Sequence, residues 1–520
     1  DSSEFVRRNE LYVVDIDGSE RKKISNEQFG NILYERTKDS GPPHRIRPRF
    51  VPDMLRIVFV VVNESSMQTE LHSVSVDGTD HNVLNDTLVV GAYVGTGSFD
   101  SEARKNSFAF AVAPDSSKVI YAITTPNNVD TDSVELFSIA PNGVGGSTLI
   151  SGEAVADGPV NSGSYAFSTM ITSDSMYVIF LATTINVDTG STLELFRVPL
   201  TGGIRTPLTS GMRVQPRVPP IINADTVIFA AEGGVHSVSI DGGQPTLANQ
   251  GFDHAVSEMR LSADTTSVIY NVSPIGEIFI TKLDASSTLN LSGTIVEGGR
   301  VLQYMEDAAN ASLIFRAYAE NTSDLAVYIV SLDGSLRQRI TPDPNHDSPQ
   351  ATVVFGVADG NVYFGYDRDY NNVKELYKYN QSSGQTINIS ADWPKFVTED
   401  ITYLSLSPDG STQSMVSNTA SSSVTSLIST LILSTNDSTC RFSLPVGSIV
   451  EYGVANYIMG ADNALYYTLR GEPSNLLYRT SSTCETTQLN ADIADINSIR
   501  LKVSPNNTSV AIATSDGLFA

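Results

Sequence analysis

Short stretches of alternating apolar and polar residues recur along the whole chain, and each ends in a tight turn. Clear copies span residues 11–18, 71–78, 235–242 and 327–334, and every one of them closes on Asp-Gly. Alternation with a period of two predicts a β-strand, and Asp-Gly is typical of a hairpin turn because glycine readily adopts positive φ. Recurrence of this hairpin along the chain predicts a repeat protein.

A second signal stands before most copies: a short turn rich in Ser, Pro and Asp, followed by a β-branched and aromatic strand. Residues 113–115 (Ala-Pro-Asp) precede the strand 119–121, and residues 262–264 (Ser-Ala-Asp) precede the strand 268–270. The two signals together predict units of four antiparallel strands. The predicted hairpins start near Leu11, Leu71, Leu136, Leu195, Val235, Ile278, Val327, Leu376, Leu431 and Leu477.

A four-stranded sheet with two apolar faces buries both when such sheets stack radially, so the predicted fold class is an all-β β-propeller of about ten blades. It spans residues 1–520. The N-terminal hairpin, residues 1–25, lacks inner strands, and residues 499–520 lack a complete outer hairpin. Joining them closes one ring through a terminal blade shared by both ends.

Two alternatives to a single ring stay open. Propellers usually have ~4 to 8 blades, so two smaller propellers, residues 1–250 and 251–520, form one alternative. In the other, the hairpin of residues 1–25 is exchanged with a neighbouring molecule and builds a fibre.

The Ser-Pro-Asp-Gly turn, clearest at residues 407–410, together with the later aromatic strand and Asp-Gly turn, resembles the TolB-like, or WD-like, propeller repeats of periplasmic and secreted proteins. This resemblance covers essentially the whole chain and implies the fold rather than an activity. The sequence has no Gly-x-Ser-x-Gly elbow, phosphate loop or His-Glu-x-x-His motif, so we expect no enzyme. A metal-assisted polysaccharide lyase, an activity found on some bare TolB-like propellers, is the less favoured alternative.

Charge and composition restrict the partners. With 33 basic and 58 acidic residues the net charge is −25, which disfavours nucleic acid and anionic membranes. No apolar run approaches the ~20 residues of a membrane span. Few lysines and many Ser, Thr and Asn residues favour a secreted, extracellular or cell-surface protein, with the periplasm also open. Candidate glycosylation sites are Asn63, Asn85, Asn271, Asn290, Asn310, Asn321, Asn380, Asn388, Asn436, Asn506 and Asn507.

Cys440 and Cys484 are the two cysteines, and they lie at nearly matching places in successive repeats. Matching positions on neighbouring blades diverge towards the rim, whereas a disulfide needs Cα atoms within ~7 Å. The sequence therefore leaves a disulfide between them open.

Near-duplicate loops between the second and third strands are the first candidate binding sites. Such loops offer carboxylate and amide oxygens to a cation, with calcium as the conceivable cofactor, or to a sugar. Recent repeat duplication explains their similarity equally well. The candidate residues are Asn128, Asp130, Asp132, Asn186, Asp188 and, in a later unit, Asp367 and Asp369.

The histidines divide into two groups. His72 and His236 occupy positions where other repeats have Tyr or Phe, so we expect them to pack as aromatic residues. His81, His254 and His346 stand beside acidic residues in connections that we expect after the fourth strand. His254, His346 and Asp347 are weak metal candidates, because ligation needs several such groups to converge and solvated turns often carry the same residues.

These features predict a non-enzymatic extracellular or cell-surface propeller that acts as an assembly subunit or recognition scaffold. A monomeric glycan- or protein-binding module is the alternative. The expected partner is a protein, including another copy of this chain in a homo-polymer, or a surface glycan.

Overall fold

A computed structural model describes most of the chain between residues 48 and 389, and little beyond the strands on either side. Within 48–389 the undescribed residues are 64–65, 67, 96–108, 126–132, 153–168, 187–189, 216–217, 250–254, 275, 344–349, 359 and 369–374. Outside that range the described residues are 10–15, 22–24, 31–32, 401–406, 412–418, 428–434, 439–443, 454–459, 465–469, 474–481, 485–488, 493–494, 500–503 and 509–514.

The described strands form ten antiparallel sheets, which we number I to X along the chain. Sheet I joins β1 (Glu10–Asp15), β2 (Lys22–Lys23), β42 (Arg500–Val503) and β43 (Ser509–Thr514). Sheet II contains β3 (Asn31–Ile32), β4 (Arg49–Val51), β5 (Arg56–Val62), β6 (Thr69–Ser75) and β7 (Asn82–Val83). Sheet III contains β8 (Tyr93–Val94), β9 (Phe110–Val112), β10 (Val119–Thr125), β11 (Ser133–Ile139) and β12 (Thr148–Leu149).

The four middle sheets are regular. Sheet IV contains β13 (Met170–Ile171), β14 (Tyr177–Asn186), β15 (Gly190–Pro199) and β16 (Thr206–Pro207). Sheet V contains β17 (Ile221–Asn223), β18 (Thr226–Ala231), β19 (Gly234–Ser239) and β20 (Thr246–Leu247). Sheet VI contains β21 (Ala255–Leu261), β22 (Ser267–Ser273), β23 (Ile278–Lys282) and β24 (Thr288–Asn290). Sheet VII contains β25 (Val301–Asp307), β26 (Ser312–Ala317), β27 (Ala326–Ser331) and β28 (Arg337–Arg339).

Three sheets complete the order along the chain. Sheet VIII contains β29 (Gln350–Ala358), β30 (Asn361–Asp367), β31 (Glu375–Asn380) and β32 (Gln385–Asn388). Sheet IX contains β33 (Ile401–Leu406), β34 (Thr412–Asn418), β35 (Ile428–Ser434) and β36 (Thr439–Ser443). Sheet X contains β37 (Val454–Met459), β38 (Leu465–Leu469), β39 (Ser474–Thr480), β40 (Thr486–Gln488) and β41 (Ile493–Ala494).

The turns between first and second strands have the predicted Asp chemistry. The Asp115 carboxylate accepts a hydrogen bond from the Ser117 backbone N–H at 3.0 Å, and Asp264 accepts one from Thr266 at 3.1 Å. One or two residues after the Asp, the backbone adopts the left-handed conformation with positive φ. At Ser116, for example, φ is 61°. A side-chain oxygen that replaces a backbone partner allows the chain to reverse within this short turn.

Consecutive sheets pack face to face through alternate residues of their second strands. In β18, Ile228 faces Tyr270 of sheet VI, whereas its neighbour Phe229 faces Ile179 of sheet IV. The same alternation extends the apolar core from sheet I, which contributes Leu11, to sheet VIII, which contributes Phe364. Because sheets II to VIII bury both faces of their second strands, these strands are largely apolar.

An aromatic pair crosses the second and third strands of seven sheets. Its members lie directly opposite each other in register, for example Phe180 with Phe196 and Phe315 with Tyr328. The ring centroids of these two pairs are 6.0 and 5.1 Å apart, and both pairs are stacked. Cross-strand aromatic pairs stabilise a sheet beyond the area they bury.

Sheet I combines the two ends of the chain. Strand β1 lies between β2 and β43, and its register with β43 runs from the pair Glu10–Thr514 to the pair Asp15–Ser509. The all-β class and the four-stranded antiparallel units predicted from the sequence are confirmed, and the fold is β-propeller-like. The short strand β8 pairs with β10 and extends sheet III.

Helical structure in the described residues is limited to one 3-10 turn, Ala308–Asn310. Within this part of the chain, no helix has the length and apolar character to cross a membrane.

Candidate functional site

The predicted binding-loop residues are placed only in part. Asn128, Asp130, Asp132, Asp188 and Asp369 lie outside the described residues. Asn186 is the last residue of β14 and pairs with Gly190 of β15, so this hairpin is strand almost to its tip. Asp367 corrects the prediction of a loop: it is the last residue of β30 and only 2 % exposed, because β30 extends to this residue and is buried along its whole length.

The histidine predictions have mixed outcomes. His254, His346 and Asp347 lie outside the described residues. His72 and His236 do pack as aromatic residues: the Phe59–His72 centroids are 5.9 Å apart, and the Phe229–His236 pair stacks at 5.6 Å. His81 was expected after a fourth strand but stands directly before the fourth strand β7, because that strand is only two residues long.

His72 belongs to a short chain of ionisable groups on sheet II. Its Nδ1 is 2.9 Å from His81 Nε2, and its Nε2 is 3.1 Å from the Glu70 carboxylate. Burial lowers the pKa of His72, opposed by Glu70. Burial, His72 and Arg56 lower the pKa of His81 to about 4, so both rings are uncharged at neutral pH.

The glycosylation candidates differ in their environment. Asn290, Asn310 and Asn321 are exposed. Asn85 is 8 % exposed, and its side-chain oxygen accepts a hydrogen bond from the Leu71 backbone N–H at 2.6 Å, which gives this residue a structural role. Asn63, Asn271, Asn380 and Asn388 are half-buried, whereas Asn436, Asn506, Asn507 and Cys484 lie outside the described residues. Cys440 is part of β36.

Buried polar groups that the sequence did not reveal lie between sheets VII and VIII. Arg339 on β28 donates from Nη1 to the Asp324 carboxylate at 2.6 Å and from Nε to Thr341 Oγ1 at 3.0 Å. Nearby, Asp324 Oδ1 is buried and makes no hydrogen bond within the protein, and the hydroxyl of fully buried Tyr366 lies close to the Arg339 guanidinium. Burial and then the Asp324 carboxylate raise the pKa of Tyr366 to about 12, which Arg339 opposes.

A second arginine lies between the first strands of sheets VI and VII. Arg260 on β21 stacks on the ring of Tyr304 of β25, with its guanidinium carbon 4.3 Å from the ring centroid. Its Nε and Nη2 are both buried and make no hydrogen bond, and the buried Tyr304 hydroxyl makes none either. Burial and then the Glu258 carboxylate raise the pKa of Tyr304, which Arg260 opposes.

The register explains why Arg260 points towards sheet VII. Its neighbours Met259 and Leu261 belong to the core shared with sheet V, so alternation turns Arg260 to the opposite face. On β25, Tyr304 packs in the core shared with sheet VI, whereas the following Met305 packs towards sheet VIII. The apolar residues on both sides of Arg260 were a signal for this position, although the facing Tyr304 could not be identified without the register between sheets.

Nε and Nη2 form the edge of a guanidinium that donates two parallel hydrogen bonds to one oxyanion. Because buried donor atoms without an acceptor are unfavourable, this edge is a candidate site for an oxyanion. We call Arg260, Tyr304 and Glu258 the VI/VII cluster.

Among the residues the structure describes, no group of three or more His, Cys, Asp or Glu side chains is arranged to hold a metal ion.

No protein-family model matches the chain, and no curated protein matches it. Solved structures do match in part. A puromycin hydrolase is 12 % identical over 73 % of this chain and 59 % of its own, with a TM-score of 0.34. A prolyl endopeptidase structure is 12 % identical over 84 % of this chain and 54 % of its own, with a TM-score of 0.35. A eukaryotic initiation factor is 11 % identical over 80 % and 93 %, with a TM-score of 0.42.

The chain thus spans little more than half the length of the two hydrolases. The prediction of a non-enzymatic structural, assembly or recognition module is wrong as stated, because the matched structures include a puromycin hydrolase and a prolyl endopeptidase. Their identities and TM-scores are too low to transfer any activity to this chain.

Proposed function

We propose that the chain forms one closed ten-bladed propeller of the TolB-like type, with sheet I as the blade shared by both termini. Pairing of β1 with β43 supports closure within one molecule. Packing of Ile228 and Ala248 against Val268 and Tyr270 joins sheets V and VI across residue 250, which favours one ring over two propellers. Deletion of residues 1–25 should lower the melting temperature of the purified protein, and an unchanged melting temperature would argue against closure.

Within that ring, the proposed function is the binding of a small organic anion at the VI/VII cluster. The observation that supports this proposal is the buried Nε–Nη2 edge of Arg260, which has no hydrogen-bond partner within the protein. An oxyanion can accept two charge-assisted hydrogen bonds from this edge, and burial strengthens both bonds. Arg260 also lies on the first strand of its sheet, and the first strands of a propeller surround its central channel, which offers a ligand a route in.

A secreted, extracellular location fits this proposal. The exposed sequons at Asn290, Asn310 and Asn321 and the low lysine content support it. Expression in a glycosylating host followed by glycosidase treatment tests it, since a loss of mass on treatment is expected and an unchanged mass would contradict glycosylation at these sites.

A thermal-shift panel of acetate, benzoate, phenyl phosphate and benzenesulfonate tests anion binding. At least one anion should raise the melting temperature of the wild-type protein and of the control variant Arg213→Met, which changes an exposed arginine. None should do so in Arg260→Met. A panel in which no anion acts, or in which Arg260→Met responds like the wild type, overturns the proposed function.

A further inference from the structure

The anion that anchors at the VI/VII cluster can be specified further from the geometry around Arg260. Its guanidinium carbon lies 4.3 Å from the centroid of the Tyr304 ring, so a ligand bound to the Nε–Nη2 edge must enter the layer between β21 and β25. A carboxylate is planar and lies in the guanidinium plane when both oxygens accept a hydrogen bond. A phosphate or sulfonate is tetrahedral and directs further oxygens out of that plane, towards the ring or the opposing strand.

The charge around the cluster points the same way. Glu258 lies on the same face of β21 as Arg260 and is close enough to raise the pKa of Tyr304. Glu306, on the same face of β25 as Tyr304, accepts hydrogen bonds from the Ala263 backbone N–H at 2.9 and 3.0 Å. One buried guanidinium can balance one negative charge, whereas a dianion between two acidic side chains would carry uncompensated charge.

Tyr304 supplies a third determinant. Its hydroxyl is buried without a hydrogen-bond partner, and its raised pKa keeps it protonated at neutral pH. A protonated phenol donates a hydrogen bond to an oxyanion, which adds to the two bonds from Arg260. The core residues Ile295 and Val301 pack in the same inter-sheet cluster as Tyr304, so an apolar group attached to the oxyanion would meet apolar side chains.

From these three observations we propose that the VI/VII cluster binds the carboxylate of a monoanionic organic acid, held by the Arg260 edge and the Tyr304 hydroxyl. This inference rests on the proposed function and names its ligand class. Both donor nitrogens are out of contact with solvent, so a ligand reaches them only when side chains of β21 and β25 move apart. Association should therefore be far slower than the diffusional limit of ~10⁹ M⁻¹s⁻¹, because it waits for this opening.

Isothermal titration of the full chain with benzoate, phenyl phosphate and benzenesulfonate, which share one ring and differ in the anionic group, tests the ligand class. Benzoate should bind at least about tenfold more tightly than the other two. Arg260→Lys keeps the charge but loses the two-nitrogen edge and should weaken benzoate at least about tenfold. Tyr304→Phe keeps the ring under Arg260 and should cost a few-fold, the share of one hydrogen bond.

The outcomes separate the two proposals. If phenyl phosphate or benzenesulfonate binds as tightly as benzoate and depends on Arg260, the carboxylate assignment is overturned and the anion site stands. If Arg260→Lys binds benzoate like the wild type, the two-nitrogen edge is not the anchor and the carboxylate inference also fails. If none of the three compounds binds, both proposals fail, provided circular dichroism shows the same folded spectrum for every variant.

Discussion

Two arginines occupy comparable places between neighbouring sheets but differ in their partners. Arg339, between sheets VII and VIII, reaches Asp324 at 2.6 Å and Thr341 at 3.0 Å. Arg260, between sheets VI and VII, has an aromatic ring beneath it and no acceptor on its Nε–Nη2 edge. The first arginine is paired with a carboxylate of the protein, whereas the Nε–Nη2 edge of the second has no hydrogen-bond acceptor within the protein. This difference separates a structural ion pair from a candidate ligand site.

The largest loss of stability is expected when Asp324, the carboxylate partner of Arg339, is removed. Asp324→Ala removes the carboxylate that is hydrogen-bonded to Arg339 and leaves only the more distant Glu320, 4.0 Å from Nη1, so we expect a loss of about 2–3 kcal/mol in the free energy of unfolding. Both side chains keep some exposure, which places this value at or below the ~3–5 kcal/mol typical of fully buried pairs. Urea unfolding measures it. Asp225→Ala, at an exposed turn, is the control and should change stability by less than about 0.5 kcal/mol.

The same substitution at both arginines sharpens the comparison. Arg339→Met should destabilise by about 2 kcal/mol because it leaves Asp324 unpaired in a buried place. Arg260→Met removes an unpaired charge and keeps apolar contact with Tyr304, so stability should stay level or rise by about 1 kcal/mol. Parallel urea titrations of both variants without added ligand measure the two changes in the free energy of unfolding. Equal losses in the two variants would mean that Arg260 has a structural partner after all.

Alkaline pH gives a smaller effect, at the tyrosines beside the two arginines. The pKa of Tyr366 is raised to about 12 by burial and Asp324, so its neutral form is favoured in the folded state. The stability linked to it is complete below pH ~10 and is lost as the pH rises towards ~12. At pH ~11, one unit above the ordinary tyrosine pKa, the wild type should have lost about 1.4 kcal/mol through this residue, and Tyr366→Phe should not show that loss. Tyr304→Phe should flatten the profile in the same direction. Identical alkaline profiles for wild type and both variants would contradict the assignment.

Local features of this protein were predictable from the sequence because they depend on neighbouring residues. The alternation at residues 71–78 predicted β6 and its turn, the Asp turn at residues 113–115 predicted the reversal before β10, and the repeat alignment predicted that His72 and His236 replace aromatic residues. Each of these follows from periodicity or from a turn residue with a known preference.

The candidate site was not predictable in the same way. The VI/VII cluster depends on which side chains of β21 face which side chains of β25, and that register is set by the packing of sheet VI against sheet VII rather than by either strand alone. The prediction for Asp367 failed for a different reason: the residue was expected in a loop. A run of charged residues suggested an exposed loop, but β30 extends to Asp367 and buries it. Charge patterns indicate solvent exposure only where no neighbouring sheet covers the residue.

A crystal structure of the full chain grown with benzoate would test the central claim most directly. The account predicts a carboxylate with its two oxygens about 3 Å from Arg260 Nε and Nη2, lying in the guanidinium plane above Tyr304. A structure in which the same edge of Arg260 is bonded to a carboxylate of the chain itself, with no benzoate between β21 and β25, would contradict it.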